Sequence, residues 1–301
     1  MNRNEFTQNI LLPSLELIKN DSKIKKFYFF PWILSVIFLS VTLVYQVIYT
    51  YVVLLGRREE ALEVMLSLFH SQYITELLII SGIFFIFYII LLPIFEGALI
   101  RYIDMRSNWD ASRSDSIWFW IYRFAPLFEF NNIFNLFKFV SILNGFLFTL
   151  RFLGIEYLWI LSLFFSIAFL LSIVLGIFTA YARFEIVLWN KWAMESVASS
   201  SRLALLNIKT TLKLYVLMFI MNLRVILNFV VFLVFPLLWI FIAGLITSQI
   251  FSIIAFIVLW ILFIFFVVAL AYLSAVLDVF RTQIWYRAYR EWQKNMIEEE
   301  K

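Results

Sequence analysis

A chain of 301 residues with 64% apolar and 20% aromatic content departs from soluble composition, in which apolar residues make up roughly half. The absence of cysteine excludes disulfides, thiol catalysis and cysteine-held metals. The net charge of +4 would suit nucleic acid, but the basic residues are spread over four separate segments, as membrane insertion requires, so no nucleic-acid partner is expected.

In chain order, residues 1–26 read as a cytoplasmic amphipathic segment on the membrane surface. Phe6, Ile10, Leu11, Leu15 and Ile18 form its apolar face, and Lys19, Lys23, Lys25 and Lys26 precede the bilayer. The spacing predicts a first span over 27–55, an uncleaved signal-anchor with Pro31 in its first turn. A charged loop leads to a second span over 74–102, where Pro93 predicts a kink. The stretch 115–130 is too aromatic for water and reads as interfacial. A third span covers 133–153, with Lys138 and Arg151 able to snorkel from opposite ends. The fourth, 157–182, follows a tight turn at Gly154. A polar interlude over 190–207 leads to an apolar run over 212–246, about 52 Å as a straight helix. That exceeds one span, so either its start lies in the interface or it is tilted and kinked at Pro236. The sixth span, 248–277, closes a bundle over 27–280, and residues 281–301 continue as an aromatic, charged helix that forms a cytoplasmic tail.

The expected fold is therefore all-α: a polytopic membrane protein of about six transmembrane helices with interfacial helices near 5–18, 115–130 and 190–207. Apolar runs of ~20 residues or more exclude a membrane β-barrel, whose strands alternate in polarity. Of the 24 Lys and Arg residues, Arg57, Arg58 and Arg151 fall on one side and Arg224 within the fifth helix; all the others fall on the opposite side. By the positive-inside rule both termini are cytoplasmic.

Polar residues within apolar helices are the first place to seek function, because each is costly to bury in lipid. Glu96, Asn144, Asn222, Arg224, Asn228 and Asp278 form the candidate cluster, with Arg224 expected to pair with Glu96 or Asp278, or else to sit at the interface. Ala168, Ser172, Gly176 and Ala180 recur every fourth residue, a ridge that lets helices approach closely in lipid or mediates a homodimer. Ser199, Ser200 and Arg202, in a small polar run without topological necessity, are the candidate docking surface. Their replacement by alanine is expected to leave expression intact.

No catalytic constellation is present. The single histidine, His70, has no carboxylate or second histidine at ligand spacing, and the seven glycines form no phosphate-cradling loop. No metal, cofactor or catalytic residue is expected.

Two cytoplasmic segments resemble each other, Ile94-Phe95-Glu96-Gly97-Ala98 with Arg101-Tyr102, and Ile177 through Phe184. Together with the tail Val279-Phe280-Arg281-Thr282-Gln283-Ile284-Trp285-Tyr286-Arg287, this pattern resembles the six-helix membrane domains associated with bacterial glycerophosphodiester phosphodiesterases and similar bacterial membrane proteins. In that family hydrolysis belongs to a separate soluble domain, so the resemblance implies no activity. It implies a bacterial inner-membrane location and a link to lipid or envelope physiology. The leading expectation is a non-enzymatic scaffold, accessory subunit or lipid-interacting module. Its expected partners are membrane lipids, a membrane protein or a second copy. A transporter or channel for a small or amphipathic solute is the second reading, and an intramembrane lipid-modifying enzyme the third.

Overall fold

A computed structural model describes residues 6–21, 24–25, 28–54, 74–108, 113–223 and 249–299, with a few positions between 56 and 70 and between 230 and 241. Every regular element among them is helical. A π-turn at Thr7–Leu11 leads into α1 (Leu12–Asn20), followed by α2 (Phe29–Leu54) and α3 (Ile74–Asn108). Next come α4 (Arg113–Arg123), α5 (Ala125–Asn135) and α6 (Phe139–Leu153), then α7 (Leu158–Phe178) and α8 (Ala182–Trp189). The chain closes with α9 (Ala193–Leu206), α10 (Ile208–Asn222) and α11 (Gln249–Glu299).

Among the described residues three helical stretches are long and apolar enough to cross a membrane: Ile74–Arg106, Ile155–Trp189 and Ile253–Gln293. The pair Ala193–Leu206 and Ile208–Met221, bent by 105°, makes a fourth if taken as one broken span. Phe29–Phe38 and Ser141–Leu153 are shorter apolar helices. The apolar side chains of the spans point outward. Ile79, Phe84 and Ile86 are 57%, 51% and 58% exposed, and Ile261 and Phe265 are 62% and 65%. Water would not tolerate such a surface, whereas lipid tails match it.

Several limits differ from those read in the sequence. The second helix continues past 102 to Asn108 with Pro93 inside it. The third is divided: α5 ends at Asn135, and Lys138, in extended conformation, precedes α6. The expected helical continuation of the tail is present: Gln249–Glu299 is one helix of 51 residues, about 76 Å long, because the tail keeps helical spacing and no breaker intervenes. The stretch 115–130 falls in two helices, and Trp120, 2% exposed, packs on α3. Of the expected fifth helix, 212–246, α10 covers the start, while Pro236 lies outside the described residues.

The tightest packing lies where the helices turn polar. Tyr181, Ala182, Ile186, Ala98, Leu99, Ile100, Ile284 and Tyr289 are at most 1% exposed. Two long helices, α3 and α11, project into this region, and the short α8 and α9 fold across it. The N-terminal segment packs there as well, Ile10 and Ser14 being fully buried and α1 lying against α11.

Candidate functional site at the polar end of the bundle

Chain breaks in the stretch 179–192 create this region. Helix α7 ends after Phe178, and α8 begins at Ala182 after a turn at 179–181 within the same apolar stretch. A break leaves backbone groups without helical partners. Ser200, fully buried on α9, satisfies two of them: its hydroxyl donates to the Phe178 carbonyl at 2.6 Å and accepts the Tyr181 N–H at 3.0 Å. At the far end of α8, Asn190 adopts the left-handed conformation (φ 54°), which asparagine tolerates better than most residues.

The turn places Arg183 beside Glu96 of α3. The guanidinium donates to one Glu96 carboxylate oxygen, and Asn131 of α5 donates to the other at 2.9 Å. Lys138 adds a further positive charge near Glu96. Gly97, the next residue, admits the Trp120 ring: a Cβ at Gly97 would lie 2.7 and 2.9 Å from two of its atoms.

A second carboxylate, Glu185, is 6% exposed on α8. Lys191 donates to one oxygen at 2.8 Å and the Tyr289 hydroxyl to the other at 2.8 Å. Trp189 donates to the Tyr289 oxygen at 2.8 Å, and Lys191 also reaches Ser199 at 2.9 Å. A third, Asp104, accepts the Tyr286 hydroxyl at 2.7 Å and is paired with Arg290. A fourth, Asp278, pairs with Arg281 one turn on at 3.1 Å. Rings fill the space between these pairs. Tyr181 meets Trp285 and Trp292 edge-on at 5.3 and 5.1 Å, and Phe184 stacks on Tyr289 at 5.5 Å.

A small crevice opens between the helices, lined by Glu96, Ala180, Arg183, Arg281, Thr282 and Trp285 among others. About 260 Å³ of space, its open mouth included, lies between these side chains. No group of three metal-ligating side chains occurs among the described residues. His70 is exposed, with its Nδ1 2.7 Å from the Leu66 carbonyl.

Of the expected intramembrane cluster, Glu96 and Asp278 both lie near Tyr28 and Arg183. Glu96 is engaged by Arg183 and Asn131, and Asp278 by Arg281. Arg224 and Asn228 lie outside the described residues, as does the side chain of Asn222. The Asn144 Oδ1 is buried without a hydrogen-bond partner among the described residues. The ridge on α7 serves contacts within the chain. Ser172 donates to the Phe137 carbonyl, Tyr215 of α10 lies against Gly176, Ala180 lines the crevice, and Ala168 is half-buried. The docking surface needs correction: Ser200 is sealed in the core as a cap for a helix break, and Ser199 is engaged by Lys191. Only Arg202 is exposed.

Sequence reasoning missed Arg183, Asn131, Glu185, Asp104, Tyr289 and Arg290. Depth was the usable signal. Glu96 lies near the polar end of its helix, and Arg183 lies at the matching end of another, where the two segments resemble each other.

No family model, curated protein or solved structure matches the chain.

Proposed function

We propose that the protein is a non-enzymatic integral membrane scaffold or accessory subunit that works through lipid and protein contacts. In this reading six helices span a bacterial inner membrane with both termini in the cytoplasm. The three long apolar stretches supply three spans; α2, α6 and the expected fifth span over 212–246 supply the others. The polar-end core is then the cytoplasmic face, in keeping with the concentration of Lys and Arg there.

One observation carries this reading. Glu96, Asp104, Glu185 and Asp278 are each matched to a cation or hydroxyl donor inside the protein, and the crevice beside them is small. A transporter keeps polar groups facing a water-filled path at membrane depth, whereas a scaffold satisfies them internally. A catalytic pair of carboxylates would face each other across an open cleft; each of these four faces a cation or hydroxyl donor of the protein instead.

Because the chain has no cysteine, single substitutions report water access directly. Ala98, Leu214 and Ala275 are fully buried. In native membranes, Ala98→Cys, Leu214→Cys and Ala275→Cys are expected to resist a small cationic methanethiosulfonate reagent until the protein is denatured. Rapid modification of all three would establish an aqueous path and replace the scaffold reading with transport.

A further inference from the structure

The charges around the crevice do not cancel. Arg183 of α8, Arg281 of α11 and Lys138, just before α6, share one electrostatic neighbourhood with Glu96 and Asp278. Three cations therefore face two carboxylates. Both carboxylates are already matched: Arg183 and Asn131 donate to the two Glu96 oxygens, and Arg281 pairs with Asp278 at 3.1 Å. The Lys138 side chain is exposed, and its ammonium makes no ion pair among the described residues. An excess positive charge at the edge of an apolar bundle is costly unless an anion joins it.

The donors left over are open. Arg183 uses Nη1 on Glu96, and its side chain stays 32% exposed. Its Nε and Nη2 reach no acceptor among the described residues and are not enclosed. Trp285, 7% exposed, forms another wall of the crevice. Its indole N–H also lacks an acceptor among the described residues, and it too keeps contact with the outside. A nearly buried donor without an acceptor is unusual in a folded chain and marks a place for an oxygen atom. The surface nearby names the source. Leu136, Phe137 and Phe139, on either side of Lys138, are 70%, 40% and 57% exposed, so a ligand reaching Lys138 passes lipid-facing side chains. Glu129, the exposed carboxylate of α5, stands about 160° around that helix from Asn131, so it points away from Glu96.

We propose that Lys138, Arg183 and Trp285 bind the phosphate of an anionic phospholipid in the leaflet at the polar end. One phosphate oxygen enters the mouth of the crevice, between the Arg183 guanidinium and the Trp285 N–H. The Lys138 ammonium balances the charge outside it, and the acyl chains lie along Leu136 and Phe139. Phosphate suits this set because its oxygens accept from guanidinium, ammonium and indole donors alike. The proposal rests on the lipid-contact reading above and gives that lipid its headgroup chemistry.

The test is thermal unfolding of the full-length protein, delipidated in a neutral maltoside detergent, with three additions compared: phosphatidylglycerol, phosphatidylcholine of the same chains, and inorganic phosphate. The expected result is a rise in Tm with phosphatidylglycerol and little or none with the other two. Lys138→Gln and Trp285→Phe should each lose most of that rise, and Lys138→Arg should keep it. Arg202→Gln, which removes an exposed cation of α9, should keep it as well. An equal rise with phosphatidylcholine would overturn the proposal, since acyl chains and a zwitterionic headgroup would suffice. An equal rise with inorganic phosphate would overturn the lipid assignment in favour of a free-anion site. An undiminished rise in Lys138→Gln or Trp285→Phe, or an equal loss in Arg202→Gln, would overturn the site itself. If Lys138→Gln is not recovered folded, Trp285→Phe and the three additions to the unaltered protein still decide. Reactive cysteines at positions 98, 214 and 275 would defeat the scaffold reading and leave this result unchanged, so the two failures are told apart.

Discussion

The Tyr289 hydroxyl donates to Glu185 Oε1 at 2.8 Å, joining α11 to α8 across 104 residues of sequence. The same oxygen accepts the Trp189 indole N–H at 2.8 Å, so the hydroxyl relays a donor to a buried carboxylate. Replacing it by Phe keeps the stack on Phe184 and deletes only this relay. Tyr289→Phe is expected to destabilise by about 1–3 kcal/mol, the usual cost of stranding buried polar groups. Thermal unfolding in detergent, followed by tryptophan fluorescence, measures it. A variant as stable as the parent would show that Lys191 alone satisfies Glu185.

Ser200 and Arg202 separate structural from surface roles on α9. Ser200→Ala strands the Phe178 carbonyl and the Tyr181 N–H at once, and a loss of about 2 kcal/mol with reduced expression is expected. Arg202→Ala, on an exposed side chain, should change stability by no more than about 0.5 kcal/mol. The same unfolding assay on both variants checks the contrast, and equal effects would contradict it.

The glycines give a graded series. Gly97→Ala drives a methyl into the buried Trp120 ring and should cost about 1–3 kcal/mol, the range for overpacking. Gly176→Ala meets the outer end of Tyr215, half-buried and able to swing, so its cost should be smaller. At Gly82 an added methyl meets nothing within 4 Å, and a helical alanine there should be neutral or slightly stabilising. The order of Tm values is the readout. Trp120→Leu in the Gly97→Ala background should recover part of the loss.

Much of the membrane character was legible because it rests on composition and run length, which lipid enforces directly. The i+4 ridge was legible for the same reason: small residues in an apolar helix have few roles besides close approach, and Gly176 admits Tyr215. The polar-end core was harder to read. Arg183, Lys191 and Arg290 each enter the charge count of the positive-inside rule and also pair with a carboxylate, and the count cannot reveal the pairing. Ser200 read as a surface serine because helical spacing does not reveal a break in a neighbouring helix. The helical tail was legible because Trp285, Tyr286, Tyr289 and Trp292 keep helical spacing among the charges, and the last helix runs unbroken through them. Glu96 was identified as important from its cost in lipid alone, while its partner depended on the turn at 179–181.

The central claim is that ion pairs made inside the protein close the polar end, with Glu96 and Arg183, 87 residues apart, as the principal link between α3 and α8. A double-mutant cycle of Glu96→Gln, Arg183→Gln and the double variant, measured by reversible unfolding in detergent, tests it most directly. Each single change should cost about 1–3 kcal/mol by leaving a partly buried, hydrogen-bonded charge unpaired. The double variant should be more stable than the sum of the two by at least about 1.5 kcal/mol, within the range for contacting residues. Additive losses would show that the two residues act independently, and the polar end would need another account.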